Sequence, residues 1–306
     1  MHPVGARRGP GRLGVIDWPT LAAIALFWVA LVALGFGSAH LPTIVVLGGL
    51  VLLGGFYMSL QHEVIHGHPT RWRAFNRLLV GAPLGLIHPY ARYNSIHLAH
   101  HNSNLTDPVV DPESFYVLPA TWADAGQLQR LILRVNRTLA GRLLLGPFLS
   151  AWHMLRWDLH LTWRNRDVRR AWFVHAAASL LVLAIVFACP LPSWMFVLGF
   201  VYGGASMSAL RSFVEHRAVP GAERSAIVYS NWFFGLLFLN NNLHNTHHEL
   251  PGAAWFHLPA LTRTFDADEA VASGAGVYRG YAAIIRRHLF RPFDQPMHPL
   301  SETVSV

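Results

Sequence analysis

Leu41-Pro-Thr-Ile-Val-Val-Leu-Gly-Gly-Leu-Val-Leu-Leu-Gly-Gly-Phe-Tyr-Met-Ser-Leu60 runs without a break into Gln61-His62-Glu63-Val64-Ile65-His66, and this junction decides the fold. Twenty residues without a charge match the length that a helix rising 1.5 Å per residue needs to cross a hydrocarbon core of ~30 Å. A paired-histidine motif directly at the end of such a span places metal-type ligands at a membrane surface. Working outward, Thr20 to Gly37 is a second apolar stretch, joined to the first by Ser38 to His40. Trp172 to Cys189 and Trp194 to Leu210 repeat the arrangement across Pro190 to Ser193. Both connections are short and free of Arg, so the expected architecture is all-α and integral to the membrane, with four transmembrane helices in two hairpins.

Composition agrees. Hydrophobic residues make up 53% and charged residues 13% of the 306, about half the charged share of a soluble domain. The basic side chains are all Arg, because the sequence has no Lys, and they cluster between the apolar stretches. No basic-aromatic interleaving of the nucleic-acid-binding kind accompanies them, so no nucleic-acid partner is expected. Arg7, Arg8 and Arg12, the segment from Gln61 to Arg170 and the tail after Arg211 all fall on one side by the positive-inside rule. That side is the cytoplasm. A cell membrane, the bacterial inner membrane, with both termini cytoplasmic, is the expected location. The apolar stretch after the N-terminal Arg residues is too long for a signal-peptide core and is expected to be retained as the first span.

No repeat or linker divides the chain, so residues 1–306 are expected to form a single domain: a cytoplasmic tail at 1–19, four spans within 20–210 enclosing a cytoplasmic segment at 61–171, and a cytoplasmic cap with C-terminal tail at 211–306. Leu78 to Pro89 and Val228 to Leu239 are too short to span and carry Pro, Gly or Asn, which suits buried, re-entrant or interfacial segments. Leu128, Leu131, Ile132, Val135, Leu139 and Leu143 recur at helical spacing with Arg130, Arg134, Arg137 and Arg142 mostly elsewhere around the helix. This predicts one helix over Leu128 to Leu145, lying on the membrane surface.

Cys189 is the lone cysteine, so any metal must be held by His, Asp or Glu. His62 and His66, then His97, His100 and His101, then His244, His247 and His248 supply imidazoles at i, i+3 or i+4. On a helix these positions share a face, and each group can present two or three imidazoles to one point. Neutral imidazole is the commonest protein metal ligand, and a histidine cluster with open positions suits an oxygen-activating iron.

Those three groups, in that order and with two helical hairpins, resemble the membrane fatty acid desaturase and hydroxylase family, with boxes of the form H-x(3,4)-H, H-x(2,3)-H-H and (H/Q)-x(2,3)-H-H. His247-His248-Glu-Leu-Pro251, followed by Trp255-Phe256-His257-Leu258-Pro259, is similar to the pattern that follows the family's third box. Arg211-Ser-Phe-Val-Glu215-His216-Arg217 is similar to the segment that supplies an additional ligand. The resemblance therefore implies nine ligands, His62, His66, His97, His100, His101, His216, His244, His247 and His248, for two non-haem irons. It further implies O₂ as co-substrate, hydrogen abstraction from an unactivated C–H bond, and desaturation of a lipid acyl chain. Hydroxylation or ketolation of a lipid, carotenoid or alkane by the same centre is the alternative, and Glu63, where many relatives have Asp, is shared with the alkane and xylene hydroxylase branch. The sequence contains no His-Pro-Gly-Gly haem-binding segment, so a fused haem domain is not expected. Electrons are expected from a separate carrier of ferredoxin or rubredoxin type, with a lipid or acyl substrate and membrane lipids as the other partners.

His62-Glu63-Val64-Ile65-His66 also matches the H-E-x-x-H pattern of zinc proteases, in which Glu63 would be a general base. That reading leaves the other boxes without a purpose, and the further motifs expected of an intramembrane zinc protease are missing. In the diiron reading Glu63 orients an imidazole. His68 turns away from the His62 and His66 face and is expected to be supporting or superficial. Asp107, Asp111 and Glu113 read as solvated loop acids, with ligand orientation or a surface for a cationic partner as the other possibilities. His153 and His160 read as interfacial, and His175 as reaching the headgroup level. Of Asn240, Asn241 and Asn242, within helical reach of His244, two are expected to cap or hydrogen-bond backbone and one could hold a metal-bound water.

Overall fold

The computed structural model describes residues 16–264 and 267–299. The N-terminal Arg7, Arg8 and Arg12 and the C-terminal Val306 lie outside them. The described chain is mostly helical and divides into two compact units, residues 16–95 with 145–209, and residues 96–144 with 210–299.

The first unit holds the apolar helices. Asp17 caps α1 (Trp18–Gly37), its carboxylate accepting from the Thr20 backbone N–H at 3.1 Å and from the Thr20 hydroxyl at 2.6 Å. A single 3₁₀ turn, Ser38–His40, leads to Pro42 and α2 (Thr43–Ile65). This helix runs one turn past the expected limit at Leu60, so His62 stands on it and His66 caps it. After α3 (Arg73–Val80), α4 (Tyr90–His100), α5 (Pro119–Asp124), α6 (Gln127–Val135) and α7 (Leu139–Thr162) comes α8 (Arg166–Ala188). It starts six residues before the expected Trp172, because Asn165 accepts from the Asp167 and Val168 N–H groups and begins the helix there. The fourth apolar helix, α9 (Ser193–Ser212), has π-helical bonding from Phe196 to Gly203. Among the described residues these four helices, α1, α2, α8 and α9, are long and apolar enough to cross a membrane. Leu180 is 69% and Phe187 84% exposed, as expected of side chains meant for lipid.

Helix α2 packs most closely on α9. A Cβ on Gly204 would fall 2.6 Å from the Gly54 Cα, so the two backbones touch with no side chain between them. Gly204→Ala should therefore lose about 1–3 kcal/mol in detergent unfolding. Gly48→Ala on α2, whose added methyl meets nothing within 4 Å, should be neutral or slightly stabilising. Equal midpoints for the two variants would show that the contact is slack.

A polar staple joins α4, α7 and α8. Asp158 is fully buried and accepts both Arg92 Nε at 2.8 Å and Arg92 Nη2 at 2.7 Å, while Trp172 Nε1 donates to it at 2.7 Å. His175 is buried and donates through Nε2 to the Leu86 carbonyl at 3.3 Å. His153 and His160 are exposed. The hydroxyl of Tyr57 and the amide of Gln61 fix the segment after α3 through the Val80 carbonyl, at 2.6 and 2.9 Å.

The expected single helix over Leu128 to Leu145 is two helices, α6 and α7, broken at Asn136–Thr138. Tertiary bonds outweigh the continuous periodicity. The Thr138 hydroxyl accepts from the Gly141 N–H at 3.0 Å to start α7, the Arg137 carbonyl accepts from Phe293, and Leu289 accepts from Ala140.

In the second unit, β1 (Ile227–Tyr229) pairs in parallel with β2 (Val277–Arg279), Val228 opposite Tyr278. Between them come α10 (Trp232–Leu237), α11 (His244–Glu249), α12 (Leu258–Thr264) and α13 (Ala267–Ala272), and α14 (Tyr281–His288) follows. The stretch from Val228 to Leu239, expected as a buried, re-entrant or interfacial segment, is part strand and part short helix, with Val228, Leu237, Phe238 and Leu239 buried. Ile227, Leu243, Leu258 and Val271 form the core beneath α11.

Candidate metal centre

The third box is held from behind. Val228 donates its N–H to the Asn242 carbonyl at 2.8 Å, and the Asn242 side chain returns a bond to the Val228 carbonyl at 2.7 Å. This doubled link ties the chain before α11 to β1, with Leu243 in the core. Asn240 likewise serves backbone, at the Trp255 carbonyl. Asn241 faces His244 Nδ1, its carbonyl and side-chain oxygens both at 3.3 Å. The Thr246 and Thr262 hydroxyls, 2.8 Å apart, join α11 to α12.

The second box stands at the end of α4, and His216 lies beyond α9 in a bridge to Ser225. Within this unit the Nε2 atoms converge. Nε2 of His216 is 3.1 Å from that of His100 and 2.9 Å from that of His244, and His248 lies 3.1 Å from His244. These four imidazoles form one group able to hold an ion. Nearby, His101 Nε2 is 3.1 Å from both His97 Nε2 and His247 Nε2.

The opposite nitrogens explain why Nε2 is the atom turned toward the cluster. His100 Nδ1 donates to Asp111 at 2.7 Å and His97 Nδ1 donates to Glu113 at 3.0 Å. An ionised carboxylate only accepts, so each of these imidazoles carries its proton on Nδ1 and aims a lone pair through Nε2. Asp111 is buried, and both acids orient imidazoles, which corrects their reading as solvated loop acids. Asp107 behaves as a turn residue, accepting from the Val109 N–H.

Burial, reinforced by neighbouring imidazoles, holds His216, His244 and His248 well below the usual histidine range, hence neutral, and takes His101 down to about 2. Imidazole nitrogens converging about 3 Å apart offer several donors that one cation could share. The donor set therefore fits a metal. Glu215, whose pKa burial pushes up to about 7, sits 3.4 Å from Arg211 and 3.6 Å from His244 Nδ1.

In the helical unit, His62 and His66 stand with ring centroids 4.8 Å apart at the end of α2. His68 lies between two acids, Nδ1 3.0 Å from Asp17 and Nε2 3.9 Å from Glu63. Glu63 is buried. A cavity before this box is lined by Gly54, Tyr57, Met58, Gln61, Phe200 and Val201 together with Pro83, His88 and Tyr90. Its walls are mainly apolar.

The residues missed from sequence are Arg92 and Asp158. An acid in an aromatic, apolar helix is a costly placement, and that cost was the signal.

Four membrane-length helices and clustered buried imidazoles define a membrane protein with a metal-capable histidine site. Residues 36–279 match the fatty acid desaturase family, and the chain belongs to it. Among curated proteins none matches. The family is one of lipid-acting oxidoreductases and is generally diiron, which the histidine clusters suit.

Proposed function

We propose that the chain is an O₂-dependent lipid desaturase whose nine histidines hold two irons at the cytoplasmic face of a bacterial inner membrane, fed by a separate ferredoxin- or rubredoxin-type carrier. The single observation that carries this is the convergence of clustered imidazoles in a chain of this family. His62, His66, His97, His100, His101, His216, His244, His247 and His248 are assigned as ligands. When bound, the irons supply the O₂ chemistry that removes hydrogen from an unactivated C–H bond.

The protein's own contribution is position. Asp111 and Glu113 fix the tautomers of His100 and His97, so that Nε2 is presented without a proton to be displaced. The segment before the third box, bonded both ways to β1, keeps His244 from swinging away. Apolar walls formed by Met58, Phe200 and Val201 suit a hydrocarbon chain and exclude water, while Gln61, Tyr57 and His88 provide polar atoms along it. Glu63, in common with the hydroxylase branch, sustains hydroxylation as the second reading.

Purified chain should contain about two irons. Cells expressing it should convert a saturated acyl lipid to an unsaturated one, and His247→Ala should abolish both. An alcohol product would select hydroxylation. One stoichiometric zinc, unaffected by His247→Ala, would instead support a protease using His62, Glu63 and His66.

A further inference from the structure

A second cleft, of about 350 Å³, lies in the histidine-rich unit between α5, α6 and the 292–297 segment, lined by Trp122, Arg134, Arg137, Asp294 and their neighbours. Its size is within the usual range for a small ligand. Two arginines face it. The Arg134 guanidinium lies 5.3 Å over the Trp122 ring and is exposed. Arg137 is 4% exposed, stacks 3.9 Å over Tyr116, and donates through Nε and Nη2 to the Gln295 carbonyl. Neither has a carboxylate partner in these contacts. The acid lining the cleft, Asp294, already accepts the Tyr116 hydroxyl at 2.8 Å and lies 3.6 Å from Arg217.

Positive charge is concentrated behind this wall as well. Arg142 is 2% exposed, stacks 3.8 Å over Phe115, and keeps a buried Nη1 without a hydrogen-bond partner. Burial, and then repulsion from Arg137, lower its pKa to about 9. Buried cations without a matching carboxylate favour an anion nearby. The same helix α6 leaves Leu128 71%, Leu131 57% and Val135 37% exposed on one face, at i, i+3 and i+7. An acidic protein or a free anion would use the charge and leave that stripe in water. A phospholipid satisfies both, phosphate to arginine and acyl chain to leucine.

We propose that this cleft binds the headgroup phosphate of an anionic phospholipid, with α6 lying along the bilayer surface. Arg134 meets the phosphate from the open side, Arg137 from the buried side, and Trp122 holds Arg134 in place through its ring face.

The test uses the full chain in neutral detergent, titrated with dioctanoyl phosphatidylglycerol, dioctanoyl phosphatidylcholine or glycerol 3-phosphate and read by native mass spectrometry. Phosphatidylglycerol should be retained in preference to phosphatidylcholine, and glycerol 3-phosphate should not be retained. Arg134→Gln, at an exposed position, should weaken phosphatidylglycerol retention about fivefold. Leu131→Gln should weaken it as well. Equal retention of the two lipids, unchanged retention in Arg134→Gln, or glycerol 3-phosphate held as tightly as the lipid would overturn the proposal. So would an acidic ferredoxin that loses binding to Arg134→Gln while phosphatidylglycerol binding stays intact.

Discussion

His216→Ala is expected to lose iron and to drop product formation at least about 100-fold, as severely as a change within the three boxes. The reason is its place in the cluster. Its Nε2 stands 3.1 Å from His100 and 2.9 Å from His244, so on the proposed reading its removal opens the group at its centre. A helix-end histidine with a merely structural role would shift the unfolding midpoint and leave metal content alone. Iron per folded chain is therefore the deciding readout. His68→Ala is the matched comparison, because His68 is bonded to Asp17 and aimed toward Glu63, and it should keep most of its iron and activity. Full iron in the His216 variant, or iron loss in the His68 variant, would mean that the ligand set is misassigned.

Asp158→Ala should be the most damaging single change to stability, at about 3–5 kcal/mol, because it leaves Arg92 and the Trp172 N–H facing a buried site without their acceptor. Replacing Arg92 and Asp158 together with Met and Leu should recover much of the loss, since the surviving charge is then removed as well. Thermal unfolding in detergent measures both. A single-variant loss under about 1 kcal/mol would show that water reaches the pair and that it does not hold α4, α7 and α8 together.

The four apolar helices and the three histidine groups were legible because each rests on a pattern local in sequence: uninterrupted hydrophobicity, or imidazoles repeated at helical spacing. Helix ends were less legible. Asn165 and the extension of α2 to Ile65 depend on single caps and on what the last turn packs against. The break between α6 and α7 could not be read from periodicity, since bonds to Leu289 and Phe293, distant in sequence, override it. The same holds for Asp111 and Glu113, which look like loop acids until folding brings them to His100 and His97. Asp158 needed a different rule, in which an isolated charge in an apolar helix implies a partner.

Asp111 does more than anchor one ring. Its Oδ1 accepts both His100 Nδ1 and the Glu113 N–H at 2.9 Å, and its Oδ2 accepts the Thr106 N–H at 2.7 Å. Glu113 in turn grips His97. The two imidazoles are thus bonded to one turn, residues 106–113. Losing the Asp111 carboxylate would therefore loosen two candidate ligands at once, His100 directly and His97 through Glu113.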